Sequence, residues 1–277
     1  MLRLFATTIF ASAAFGSAHA AAIDDIRPHR AVYDLSMVKA SDRSGITGMS
    51  GRIVYELKGS VCDGFAVRFR FLTNVQTARK TFTNDQRTTT FEAGDGSSFN
   101  FVTQGYLNGQ LEETTKGTAE KSDAGIAVSL TEPEEDKLDL ERAIFQTEHV
   151  AKLVEAGRSG ETIVEAKIYD GSDRGDQVMD TTAFIGRERL QRDAVNGESD
   201  DVVDALKDEP VWPVSVSYFT NERVDNSGER LPVYQVSFLM QGDGVSRDLK
   251  MQFDDYSLRG VLQDIEYLEQ PACEASN

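Results

Sequence analysis

Gly64-Phe65-Ala66-Val67-Arg68-Phe69-Arg70-Phe71 decides the architecture of this chain. Phe65, Val67, Phe69 and Phe71 fall on one face of an extended backbone, and Arg68 and Arg70 on the other. A period of two marks a strand with one buried and one wetted face, the pattern of antiparallel sheets. Upstream, Ile53, Tyr55 and Leu57 alternate in the same way, and before them Ala31, Tyr33, Leu35 and Met37. Ser44-Gly45-Ile46-Thr47-Gly48 and Cys62-Asp63-Gly64 supply the turns between these runs. Downstream, segments 87–92, 98–103, 111–121 and 126–130 are Thr-rich or aromatic, with turn signals at Gly94-Asp95-Gly96 and Asn108-Gly109.

The pattern changes at an acidic, proline-containing loop, Glu132 to Asp136. Beyond it Thr147 suits an N-cap. Val150, Leu153 and Val154 recur at i, i+3 and i+4, and Gly157 reads as a stop. This predicts one short helix near 147–157, with Glu148 matched to the positive end of its dipole. Strand patterns then resume in 162–168, 178–185, 187–192, 212–219, 233–240, 245–253 and 258–268, with a helical turn expected near 200–207. Asn226-Ser227-Gly228 and Gly242-Asp243-Gly244 read as hairpin turns. No low-complexity linker or clean repeat interrupts the series. The expectation is a mainly all-β chain whose single sheet curls or closes to hide its edges.

The first residues read as a secretory leader. Arg3 is a short basic start, Leu4 to Phe15 is apolar, and Ala18-His19-Ala20 has small residues at a cleavage site. Residues 1–20 are therefore expected to be cleaved, leaving one domain over 21–277 in the periplasm. The apolar run is too short to span a bilayer, and no later stretch is long enough. An oxidising compartment with two cysteines allows one intramolecular disulfide, Cys62 to Cys273; the alternative is a pair of buried thiols.

With 46 acidic and 29 basic residues, the net charge is −17. That balance argues against nucleic acid as a partner and against docking on anionic lipid headgroups by bulk charge. The most site-like stretch is the loop holding Asp170, Asp173 and Asp176, with Asp180 beyond. Clustered carboxylates and glycines can hold calcium, but EF-hand spacing and its closing Glu are missing, and Asp and Gly are also what turn geometry favours. Of three histidines one lies in the leader, leaving His29 and His149, read as a residue of a mobile N-terminus and as a surface or capping residue. No His-Glu-x-x-His or Gly-x-Ser-x-Gly motif occurs; Ser50 in Gly48-Met49-Ser50-Gly51 lacks the spacing. No catalytic residue, metal or cofactor is assigned. The aromatic set Phe65, Phe69, Phe71, Phe99, Phe101, Trp212, Tyr218 and Phe219 reads either as core or as the lining of an apolar groove for an acyl chain.

Four stretches together resemble the EipB-like cell-envelope integrity family of Gram-negative periplasmic proteins: His29 to Tyr33, Tyr169 to Gly186, Trp212 to Phe219, and Gly244 to Gly260. The resemblance spans nearly the whole mature chain. It implies a long, strongly curved antiparallel sheet, a β-spiral resembling an open barrel, with a short helix. It also implies a disulfide, here Cys62 to Cys273, and a role in maintaining the envelope under stress through an unidentified protein or lipid. No catalytic residues are established for the family. A lipid or lipoprotein carrier with an apolar groove is the alternative, and an envelope hydrolase the remoter one.

Overall fold

The computed structural model describes residues 23, 25–172, 174–191, 194–220 and 230–273. The leader, Asp173 and the turn at Asn226-Ser227-Gly228 lie outside the described residues. Among the described residues, fifteen strands form one antiparallel sheet that does not close. They are β1 (His29–Ala40), β2 (Ile46–Ser60), β3 (Gly64–Thr77), β4 (Thr81–Glu92), β5 (Ser98–Leu107), β6 (Gln110–Lys121), β7 (Ile126–Glu132), β8 (Asp136–Leu140), β9 (Ile163–Ile168), β10 (Met179–Ile185), β11 (Arg189–Leu190), β12 (Pro210–Phe219), β13 (Tyr234–Gln241), β14 (Ser246–Gln252) and β15 (Tyr256–Tyr267). Their spatial order is β8-β7-β6-β5-β4-β3-β2-β1-β15-β14-β13-β12-β10-β9, with β11 beside β12.

Two meanders, β1 to β8 and β9 to β15, thus meet where the first strand pairs with the last. Ala31 faces Ile265, and Leu35 faces Gly260. Within each meander most strands pair with their sequence neighbour; β10 instead pairs β12 across the segment that carries β11 and the helix Asp200–Leu206. The register keeps one parity inside. Tyr33 pairs with Ile53, Ile53 with Phe71, and Tyr33 on its other side with Leu262.

The two edge strands are drawn together by the chain that leaves β8. Ile144 bridges Ile168 in parallel, donating its N–H to the Lys167 carbonyl (2.8 Å) and accepting from the Tyr169 N–H (2.9 Å). Strand β8 begins at Asp136, where the acidic loop read from the sequence ends, in a stretch to which that reading assigned no element; it is short and carries Asp136, Lys137 and Asp139. Charges on a short edge are how sheets avoid pairing with other chains, and they mask the strand pattern.

Helix α1 spans Gln146–Ser159, longer at both ends than the sequence suggests. Phe145 is the N-cap residue and Thr147 lies buried in the first turn; Gly160 in the left-handed region ends it. The cap comes from another strand: the Glu92 carboxylate at the end of β4 accepts the N–H groups of Thr147 (2.8 Å) and Glu148 (3.2 Å). Gly157 sits inside the helix for a different reason. A Cβ there would meet the Trp212 ring at 3.0 Å, so glycine lets the helix settle on the tryptophan. A second helix, α2 (Asp200–Leu206), is capped by Ser199, whose hydroxyl accepts from the Val202 N–H. It packs Val202 and Leu206 onto Tyr33, Val245 and Leu262. Beside it Arg247 and Glu198 form a fully buried ion pair.

Candidate functional site

The same strands bound two very different ends of the concavity. At the end carrying the start of β1, α1 lies on the concave face. Its Ala151, Leu153, Val154 and Ala156 pack with Leu57 and Phe65 from one meander and with Val164, Ile185, Trp212 and Met240 from the other. Phe99 of β5 stacks with Phe101 and with Phe145, at the helix start, and all three meet Tyr169 edge-on, forming a second buried cluster. This end is filled.

Along β4 the inward positions record the change. Glu92 and Thr90 are buried, Thr88 is half-buried, and Gln86 and Asn84 are exposed. An inward row of Asn, Gln and Thr is not what a filled core requires. At this open end the rings of Tyr218 and Tyr234 stack with centroids 4.3 Å apart. Tyr234 continues to Phe253 at 6.1 Å, and Phe253 to Tyr256 at 4.8 Å. Tyr256 then borders a groove of about 600 Å³ whose apolar wall is Ile46, Met49, Phe71, Val75 and Phe82. The rings of this row are half-buried, so an aromatic wall faces an opening to solvent. Burial raises the Tyr218 and Tyr256 phenols above their usual range, so they stay neutral at physiological pH and present hydrogen-bonding tips on apolar rings.

The aromatic residues singled out from sequence divide between the ends. Phe65, Phe99, Phe101 and Trp212 are core. Phe69, Phe71 and Tyr218 are half-buried on the concave side, while Phe219 has the opposite parity and lies under Arg230. Tyr234, Phe253, Tyr256 and Phe82 were not in that set, because their meeting depends on strands far apart in sequence. The polar inward row of β4 was the available signal.

Cys62, in the β2–β3 turn, and Cys273, after β15, are bonded, with Cα atoms 5.6 Å apart. The acidic loop is held by its glycines. Gly171 and Gly175, at φ 66° and 70°, lie against the Phe101 ring, and the Tyr169 hydroxyl donates to the Gly175 carbonyl at 2.8 Å. Asp170 accepts the Ser172 N–H at 2.9 Å, Asp176 is 3.8 Å from Arg174, and Asp173 lies outside the described residues. Among the described residues no group of three His, Cys, Asp or Glu side chains is placed to hold a metal. Asp180 instead bonds Lys167 and Arg230.

Both histidines correct their sequence reading. His29 opens β1 and is buried, its Nδ1 2.8 Å from the Arg27 carbonyl oxygen. His149 is buried under α1, and burial, with the nearby Lys152 charge, pushes it down to about 4. The Thr181 hydroxyl gives its hydrogen to the Ala166 carbonyl at 3.0 Å, so the His149 Nε2, 3.4 Å from that hydroxyl, is the donor of the pair. Glu92 is raised by burial against the opposing pull of the helix N–H groups.

The EipB-like family profile matches residues 20–269. The chain belongs to that family. It is 36% identical over 260 residues to the cell envelope integrity protein EipB of Brucella abortus (strain 2308), covering 92% of this chain and 89% of that protein. A crystal structure of a β-barrel-like protein of a domain of unknown function, also from Brucella abortus, superposes with a TM-score of 0.81 at 33% identity. The match covers 88% of this chain and 99% of the other. The fold of this EipB-like chain is thus the open, barrel-like sheet that the family resemblance implied.

Proposed function

We propose that this EipB-like chain is a periplasmic, non-enzymatic factor that supports cell-envelope integrity and stress resistance, exported by residues 1–20 and folded as one domain over 21–277. The relative's role in envelope integrity supports the biological part. The molecular part rests on one observation: the aromatic groove at the open end, about 600 Å³ in volume. That is within the range of small-molecule sites, about 300–1,000 Å³; one wall is apolar, and Asn84, Gln86, Glu112 and Glu113 line the polar side. In this reading the mouth receives an apolar group, the acyl chain of a lipid or lipoprotein, and the filled end acts as a floor. The disulfide ties the last strand to the floor end.

The reading is non-enzymatic because the shifted groups serve packing. His149 is held neutral in the core, Glu92 is spent on a helix cap, and the phenols are neutral. Among the described residues, none of His149, Glu92, Tyr218 and Tyr256 is hydrogen-bonded to a second titratable side chain; Tyr267, which donates to Asp243 at 2.5 Å, is covered by the Arg27 guanidinium and lies away from the groove. The test is native mass spectrometry of the protein purified from the periplasm. An acyl-lipid adduct is expected, lost in Phe71→Asp/Tyr234→Ser. No adduct on the wild-type protein, or an adduct unaffected by the double variant, overturns the reading.

A further inference from the structure

The net charge of −17 conceals how the sheet sorts its ions. Alternation and register fix which side chains of β1 to β4 point outward. These include Arg30, Arg52, Lys58, Arg68, Arg70 and Arg87, against Asp34, Glu56 and Asp85 on the same strands, while Arg30 at the rim is paired by Asp264 and faces Glu266 on β15. The carboxylates that pair the central arginines lie low and the guanidinium groups lie high. Asp85 and Glu56 side chains are 7% and 19% exposed, whereas Arg68, Arg70 and Arg87 are 75%, 46% and 48% exposed.

Arg70 and Arg87 are direct cross-strand partners, an arrangement that like charges resist. Asp85 holds them together. Its oxygens accept Nε and Nη2 of Arg70, both at 2.8 Å, and Nε and Nη2 of Arg87 at 3.1 and 2.7 Å. Each guanidinium therefore keeps its Nη1 turned away from the aspartate. The Arg87 guanidinium also lies 4.4 Å over the Tyr106 ring, which fixes its plane. Phe91, two positions along the same outward row from Thr89, is 40% exposed.

We propose that this convex face of β1–β4 docks on the phosphate headgroups of an anionic phospholipid bilayer. Paired, pre-oriented guanidinium groups suit phosphate oxygens, and an exposed aromatic beside them suits the interface below the headgroups. Bulk charge argues against such docking, but at physiological salt the field of distant carboxylates is screened within about 8 Å, and the local face decides. By strand parity the guanidinium groups project from the side of the sheet opposite the row of stacked rings, with Asp85 and Tyr106 at the rim shared with the groove, and the inference does not depend on that reading.

The test is flotation of the whole mature protein with vesicles of phosphatidylethanolamine and phosphatidylglycerol, and with vesicles of phosphatidylcholine. Recruitment is expected to the anionic vesicles only, and to fall on raising salt. Arg68→Gln/Arg87→Gln is expected to weaken it about tenfold or more, and Arg68→Lys/Arg87→Lys to retain most of it. Phe71→Asp, in the mouth, is expected to float as the wild type does, which separates the two readings. Equal binding to phosphatidylcholine, absence of flotation, or a Gln variant that floats like wild type overturns the proposal. Retention on a polyglutamate resin without flotation also overturns it, pointing to an acidic protein instead.

Discussion

At one end of the sheet, Phe65, Thr90 and Glu92 are buried beneath α1; further along the same strands, Phe71 is half-buried and Gln86 is exposed beside the open groove. The strands are continuous, so strand chemistry alone does not separate a floor from a mouth. The difference is the segment after β8. It crosses between the sheet edges, bridges Ile168 through Ile144, and delivers a helix whose first N–H groups meet a buried carboxylate. Where that helix fills the concavity, even the polar inward residues of β4, Thr90 and Glu92, are buried. Where it does not, Gln86 and Asn84 on the same row are exposed and the aromatics of β12 to β15 form a wall.

The contrast is broken most severely at the disulfide. Cys62 and Cys273 are 211 residues apart, so in the chain-entropy account Cys62→Ser lowers stability by about 5 kcal/mol, an upper value because unfolded chains keep residual structure. Urea unfolding under oxidising conditions checks it; an unchanged midpoint would mean the tail adds nothing to the floor. Next is the helix seat. Trp212→Ala removes the ring under Gly157 and is expected to cost about 3–5 kcal/mol, with a shifted urea midpoint at similar slope.

The third prediction concerns pH. His149 is depressed from 6.5 to about 4 in the folded protein. A lowered histidine means the unfolded chain binds the extra proton first, so stability is present above pH 6.5 and drains as pH falls toward 4. The loss attributable to this one group approaches about 3 kcal/mol. Comparing wild type and His149→Gln across that window isolates it: the variant should show a shallower decline, and parallel curves would place the proton elsewhere. The smallest effect belongs to the mouth. Tyr234→Ser removes ring stacking worth about 0.5–1.5 kcal/mol on half-exposed partners, so the melting temperature should barely move. A large drop would make the mouth part of the floor.

The stretch Phe65 to Phe71 was enough to establish an antiparallel sheet with one dry face, because alternation is a local property. The turns at Asn108-Gly109 and Gly242-Asp243-Gly244 were legible for the same reason. The seam between β1 and β15 was not, since nothing in Ala31 names Ile265 as its neighbour. The helix boundaries were misread where tertiary partners replaced local signals. Glu92, 55 residues away, does the capping expected of Thr147, and Gly157 answers to Trp212 rather than to the helix end. His149 read as a surface residue because its burial depends on Thr181, across the helix–sheet interface. The aromatic mouth was half visible: Phe71 and Tyr218 stood out, but their role depended on the stacked row from Tyr234 to Tyr256.

The central claim is that the open end binds an apolar group while the filled end only supports it. Titration with N-phenyl-1-naphthylamine, a neutral apolar fluorophore, tests it most directly when run on wild type and on Phe71→Asp/Tyr234→Ser of matched stability. The account predicts saturable fluorescence enhancement with wild type and none with the double variant. Equal saturable binding by both proteins, or none by wild type, would contradict it.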